Sequence, residues 1–411
     1  MSFQQGLSGL NGAQRSLDAI GNNVANSGTV GFKLSQAQFA DVYAAALGPG
    51  GGSQIGIGTS VSTVSQQFTQ GNLTVTNNPL DVAINGAGFY RMTSNGAISY
   101  TRNGQFNIDK EGFIVNASGD RLTGFAADAQ GVIIPSSPVD ISIDTSDLTP
   151  RQTTVARLGI NLDSREVPST IAFDPALKDP ITYNASTSLT AFDTLGNPHI
   201  LTTYFVKQPA TSAMDYKLYT SLDDSTAVPA TGTDLYFTAS GSLDLAATPM
   251  PLVESFAIST GAVTPLRFDL DLTGSTQFGS SFGVNRLFQD GYTSGRLSGI
   301  NIAVDGVVQG RYSNGQSRNL GQIVLANFTN PNGLQSLGNN QWAETPDSGQ
   351  PLVGAPGTGS LGSLQSAAVE ESNVDLTAEL VNMITQQRAY QANAQSIKTQ
   401  DQILQTLVNL R

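Results

Sequence analysis

The sequence predicts a mixed fold: mainly antiparallel β domains, sandwich- or barrel-like, nested between N- and C-terminal α-helices that pair as a coiled coil. Two observations carry this reading. Apolar residues recur at alternating steps of four and three at both ends of the 411-residue chain, the repeat of a helix packed along one seam. Between those ends the pattern changes to period two, cut by Gly, Asn and Asp, which is the signature of short strands and tight turns rather than βαβ units.

The N-terminal helix is expected over residues 3–24, with Phe3, Leu7, Leu10, Leu17 and Val24 on the seam and Gln14 and Gly21 filling its gaps. Gly6, Gly9, Gly12 and Gly21 each cost roughly 1 kcal/mol of helix propensity relative to Ala, so this helix needs a partner. The C-terminal helix is expected over 373–411, a segment without Gly or Pro. Its seam is Leu376, Leu380, Met383, Tyr390, Ala394, Ile397, Leu404 and Val408, interrupted by Gln387 and Asp401, with Ser372 or Asp375 as N-cap. Ile403, Leu407 and Leu410 form a second apolar stripe. One partner helix covers one seam, and another copy of the chain is the obvious cover for the second. The expected self-assembly residues are therefore Leu7, Leu10, Leu17, Val24, Leu380, Met383, Tyr390, Ile397, Ile403, Leu404, Leu407 and Val408.

In the middle, Ile98–Arg102 and Gln105–Ile108 flank Asn103-Gly104, a type I′ hairpin signal, and Asp109–Gly112 turns into Phe113–Val115. Further strands are expected at Leu201–Val206, Tyr216–Thr220, Leu235–Thr238, Ile300–Val304 and Ile323–Phe328. Gly48–Ser53 and Gly354–Gly359 read as matched Gly-rich linkers, and hinging is expected at 48–60 and 346–362. The division that follows is nested. Residues 1–28 plus 373–411 form a helical polymerisation domain, 29–70 plus 356–372 a connector, 71–150 plus 287–355 an inner β domain and 151–286 an outer β domain.

The chain holds 32 acidic and 20 basic side chains, a formal net charge of -12. That balance speaks against nucleic acid and anionic membranes as partners. The charge is unevenly placed: residues 1–40 carry +1, residues 373–411 carry zero, and the middle holds the acidic excess. Near-neutral ends can crowd in many copies without repulsion, while an acidic body keeps the particle soluble. There is no Cys and a single His, His199, which excludes disulfides, Cys-based sites and multi-imidazole chemistry. Residues 1–28 show no basic-then-apolar signal peptide, and no run approaches the roughly 18 apolar residues of a membrane span.

The motifs that could carry chemistry are weak. Gly357–Gly362 spells GxGxxG, but Pro356 precedes it and no βαβ unit surrounds it, so a flexible connector is expected instead of a dinucleotide site. Asp269 and Asp271 could pair on a cation, yet alternation in a strand explains both as solvent-facing. His199 has no plausible nucleophile near it in sequence and is expected to be structural. No GxSxG elbow is present, and no carboxylate spacing favours an acid–base pair. The expectation is a protein with no catalytic, cofactor or metal site.

Both ends resemble the axial proteins of the bacterial flagellum, the rod, hook and hook-associated family. The N-terminal likeness runs through Ser8–Asn11, Leu17-Asp18, Ile20–Asn26 and Val30–Lys33. The C-terminal likeness runs through Ser372–Leu376, Glu379–Val381, Met383-Ile384, Gln387–Ala394 and Thr399–Leu404. Asn85–Tyr90, Tyr100–Phe106 and Gly321–Phe328 resemble the inner β domain of distal-rod and hook members, and 151–286 resembles the extra outer domain of hook-type members. The resemblance implies a non-enzymatic subunit of a helical tube outside the cell, exported unfolded through the flagellum's own type III apparatus without a cleaved signal peptide. It also implies rod, hook-associated junction and hook cap proteins as partners, alongside itself. A distal-rod subunit is the alternative within the family. A secreted carbohydrate-binding or adhesin β protein, or a glycosidase, is the alternative outside it.

Overall fold

The computed structural model describes residues 2–42, 56, 58–209, 215–226 and 228–409. The chain folds as two compact units. Unit 1 comprises 1–145, 298–311 and 317–411, and unit 2 comprises 146–297 and 312–316.

Unit 1 holds both long helices, α1 (Ser2–Ala25) and α2 (Leu376–Asn409). Asp375 supplies the N-cap of α2: its Oδ1 accepts from the amides of Thr377 at 2.9 Å and Ala378 at 3.1 Å. A two-stranded antiparallel ribbon, Ser35–Val42 with Gly58–Gln66, follows α1. The body of unit 1 is a large, mainly antiparallel sheet centred on Phe89–Ser94, Ala97–Thr101 and Arg121–Ala126. Its core is aromatic. Phe68, Phe89, Phe328 and Trp342 meet edge-to-face with centroids 5.4–5.9 Å apart, and Tyr100 stands against Phe328 at 4.8 Å.

The hairpin of this sheet is not where the sequence placed it. Ala97–Thr101 pairs back on Phe89–Ser94 through Asn95-Gly96, whose φ values of 49° and 87° match a type I′ turn. Asn103-Gly104 is instead a packed bend. Asn103 Oδ1 accepts from the Gln105 amide, and a Cβ on Gly104 would lie 1.6 Å from the Val82 carbonyl oxygen. Asn107-Ile108 pairs with Ile114-Val115 across the expected Asp109–Gly112 turn, in which Asp109 Oδ1 accepts from Glu111 and Phe113.

The stretches read as linkers divide. Gly48–Ser53 lies outside the described residues. Residues 352–370 are woven into sheets: Leu352–Gly354 pairs with Leu325–Asn327, Ser363–Ser366 with Val82–Asn85, and Ala368–Glu370 with Leu73–Val75. The GxGxxG loop between them is closed on itself, with Gly357 N donating to Gly362 O at 2.9 Å and Thr358 Oγ1 to Ala355 O at 2.6 Å, while Gly362 N donates to Ala87 O. It is a hydrogen-bonded turn whose small residues let the backbone satisfy itself.

Unit 2 is two facing sheets. One is an antiparallel meander of Ala185–Phe192, Pro198–Lys207, Tyr216–Leu222 and Val228–Leu235. This last strand ends where Leu235–Thr238 was expected to begin. In the other sheet Val155–Asp163 lies between Gly283–Gln289, which is antiparallel to it, and Leu266–Asp271, which is parallel. The parallel pair is possible because the meander serves as the long crossover that such strands require. Leu158, Ile160, Leu201, Phe205, Leu218, Leu266 and Leu270 are all fully buried between the sheets. Along Leu266–Asp271, buried Leu266, Phe268 and Leu270 alternate with Arg267, Asp269 and Asp271, and Asp271 answers Arg157 at 3.9 Å.

Candidate assembly surface

The helices α1 and α2 pair antiparallel. Gly6 lies against Ile397, Gly9 against Asn393, and Asn23 reaches Glu379, so the partners descend in number along α2 as they rise along α1. The close approaches fall at small residues of α1: Gly6 and Gly9 face α2, and Gly12 faces Phe39 and Thr59 of the ribbon. The buried positions of α1 are Gly6, Gly12, Ala13, Ser16, Ile20 and Asn23. A Cβ on Gly9 would come within 2.8 Å of Asn393 Nδ2, and one on Gly6 within 3.0 Å of Ile397 Cγ1. The glycines that weaken the isolated helix are what let the two backbones approach. The seam is also polar at its inner end. Asn23 Nδ2 donates to the buried Glu379 Oε2 at 3.0 Å, and Asn23 exchanges two hydrogen bonds with the Ser35 backbone.

The expected assembly residues consequently fall in two groups. Leu10, Leu17, Val24, Met383 and Ile397 are half-buried. Leu7, Leu380, Tyr390, Ile403 and Leu404 face outward, with Leu380 44% and Leu404 56% exposed. Leu376, Val381 and Ile384 extend this outward row at 45%, 59% and 51%. The side chains of Leu407 and Val408, and Leu410 with them, lie outside the described residues. The predicted coiled-coil stripe is thus split: Met383, Ala394 and Ile397 are half-buried, while Leu376, Leu380 and Leu404 are left to solvent. A small-residue face already occupies the inward side of α1, so the large side chains are displaced around the helices.

A buried charge junction fastens this pair to the β body of unit 1. Glu370, just before α2, accepts from Lys33 Nζ at 2.6 Å, Gly71 N at 2.9 Å and Arg102 Nη1 at 3.1 Å. Lys33, just after α1, also donates to Thr69 O, and Leu34 N donates to Asn373 Oδ1 at 2.7 Å. Burial lowers the Lys33 pKa, outweighing the attraction of Glu370. In unit 2 the single histidine sits in a similar clamp. His199 Nδ1 meets Asp223 Oδ2 at 2.5 Å and Nε2 meets Asp193 Oδ2 at 3.3 Å. Burial alone would lower its pKa, but the two carboxylates raise it.

Four family models match the chain: "Flagella basal body rod protein" over 3–33, "Flagellar hook protein FlgE/F/G D1 domain" over 83–147, "Flagellar basal body protein FlaE D2 domain" over 161–292, and "Flagellar basal body rod FlgEFG protein C-terminal" over 365–410. Full-length relatives are similar too. The flagellar hook proteins of Escherichia coli and Salmonella typhimurium are each 44% identical, covering 100% of both chains. The chain belongs to the flagellar hook protein family. The hook protein of Borreliella burgdorferi is 32% identical over 100% of this chain and 99% of its own. The model at 161–292 spans most of unit 2 of this hook-family chain.

Two features of this hook-family chain escaped sequence reasoning. The Gly6–Gly9 approach was visible only as a propensity cost. The Lys33–Glu370 pair joins residues 337 apart in sequence, and neither side chain sits in a motif that marks it as buried.

Proposed function

We propose that this hook-family chain is a non-enzymatic structural subunit that self-assembles through its terminal helices into a flexible helical tube. The tube acts as a universal joint, carrying motor torque to the filament outside the cell. The observation that carries the reading is the outward apolar residues of α2, Leu376, Leu380, Val381, Ile384, Ile403 and Leu404, on a helix of zero net charge. Rows of this size on a soluble chain mark contact surfaces. Head-to-tail contact between identical copies builds an open helical polymer. The rod, hook-associated junction proteins, hook cap and type III export apparatus are its partners by family likeness, and export without a cleaved signal peptide belongs to the same reading.

Resistance to twist comes from the packed helix pair braced by the Glu370 junction. Bending comes from sliding between outer domains of neighbouring copies across polar, acidic surfaces. Electron microscopy of concentrated full-length chain tests the proposal: helical tubes are expected, and a chain ending at residue 372 should remain a β-rich monomer. Tubes from the shortened chain would overturn helix-driven assembly.

A further inference from the structure

The Glu370 junction brings together two cations and one carboxylate, Lys33, Arg102 and Glu370, all with side chains at most 3% exposed. Buried charge without compensation is costly, and the lone carboxylate is already shared. Arg102 spends Nη1 on Glu370 and Nη2 on Gly86 O at 2.9 Å, but its buried Nε has no acceptor among the described residues. The same side chain lines a pocket of about 190 Å3 in unit 1, together with Phe68, Gln70, Phe89, Asn327 and Pro331. Among the described residues, no carboxylate lines it. The guanidinium stands over the Phe89 ring, 5.4 Å from its centre, which holds it at the pocket wall.

We propose that this pocket is a binding site for a small carboxylate or oxyanion, held against Arg102 and balancing the buried positive excess. A guanidinium at the wall of a pocket suits such an oxygen, through a charge-assisted hydrogen bond. The guest comes either from solution or from an acidic side chain of a second copy.

Trp342, the only Trp, packs 5.5 Å from Phe68 and 5.7 Å from Phe89, so its fluorescence reports unit 1 next to the pocket. Thermal unfolding of the full chain is followed by that signal at constant ionic strength, as acetate replaces a bulky sulfonate. A saturable rise in midpoint is expected, because a ligand bound only to the folded state stabilises by mass action. Asn327→Asp places a fixed carboxylate at the pocket and keeps the Oδ1 acceptor used by the Phe328 amide. This variant should start with a higher midpoint and stop responding to acetate. Lys33→Met removes the excess charge and should also abolish the response. A wild-type midpoint that does not change, or that rises equally in Asn327→Asp, overturns the site, since general salt effects act on both alike. In assembled tubes, a response that persists identifies a solution anion, and one that disappears while the monomer responds identifies a neighbour's carboxylate.

Discussion

Unit 2 and the helix pair of unit 1 treat the same kinds of side chain in opposite ways. Between the sheets of unit 2, Leu158, Ile160, Leu201, Leu218 and Leu270 are wholly inside. On α2, Leu376, Leu380, Ile384 and Leu404 are left in solvent, while Ile397, Asn393 and Glu379 meet Gly6, Gly9 and Asn23 of α1. The first arrangement is finished within one molecule. The second leaves apolar surface exposed; in the proposed assembly a neighbour covers it, and that hydrophobic energy is released only then. The largest break in this comparison is a truncation on each side. Leu270→Ala should destabilise unit 2 by about 2–5 kcal/mol, the usual cost of a cavity in a closed core. Leu404→Ala should leave monomer stability within about 0.5 kcal/mol, as exposed sites do. Denaturant unfolding measures both, and a comparable loss at Leu404 would mean the helix row is already core.

Next in size is the close approach of the helices. Gly9→Leu forces a side chain into the space held by Asn393, and overpacking of this kind costs about 1–3 kcal/mol. The loss should appear in helix content and hydrogen exchange of residues 2–25, with the unit 2 sheets unaffected. Gly21, which has nothing within 4 Å of its Cβ position, is the matched control: Gly21→Ala should be neutral or raise helicity.

A smaller effect is expected from single polar substitutions on the outward row. Leu380→Gln or Leu404→Gln removes a side chain already half in water, worth about 1 kcal/mol when a neighbour covers the rest. That is roughly a fivefold to tenfold rise in the critical concentration for polymerisation. Sedimentation of tubes against total protein reads it, and an unchanged critical concentration would remove that residue from the contact.

These contrasts also show what the sequence makes legible. Helix positions and most strands followed from period, since alternation and heptad steps are local properties of the chain. The close approach of the helices did not, because a heptad reading looks to the largest apolar residues, and here glycines face Ile397 and Asn393. The hairpin was misplaced between two Asn-Gly pairs. Both fit a turn locally, and the choice was made by distant groups: Arg102 is drawn into the Glu370 junction, and Gly104 is pressed on Val82. The buried Lys33 escaped for the same reason, since its partner lies beyond unit 2 in the chain and a lone lysine ordinarily reads as surface.

The gentlest probe of the comparison is pH, because each region buries a cation by different means. His199 is held above its usual pKa by Asp223 and Asp193, despite burial working the other way. A raised folded pKa contributes stability that is complete below the unfolded value, about 6.5, and is lost as pH climbs through the higher folded value. Asp193 has the opposite sense. Burial would raise it, but hydrogen bonds from Asn197, Thr260 and His199 hold it well below the ordinary range, so its contribution is lost only in acid. The clamp should therefore contribute most from about pH 4 to 6.5 and progressively less as pH rises above that window. Hydrogen exchange of Pro198–Lys207 and Tyr216–Leu222, the strands that carry His199 and lead into Asp223, should speed up over that rise beyond the intrinsic pH dependence of exchange. In a His199→Gln chain the extra acceleration should vanish whatever the starting stability, because the titrating group is gone. Equal acceleration in both chains would show that the clamp does not titrate over this rise, and that unit 2 is as indifferent to pH as its apolar core alone would make it.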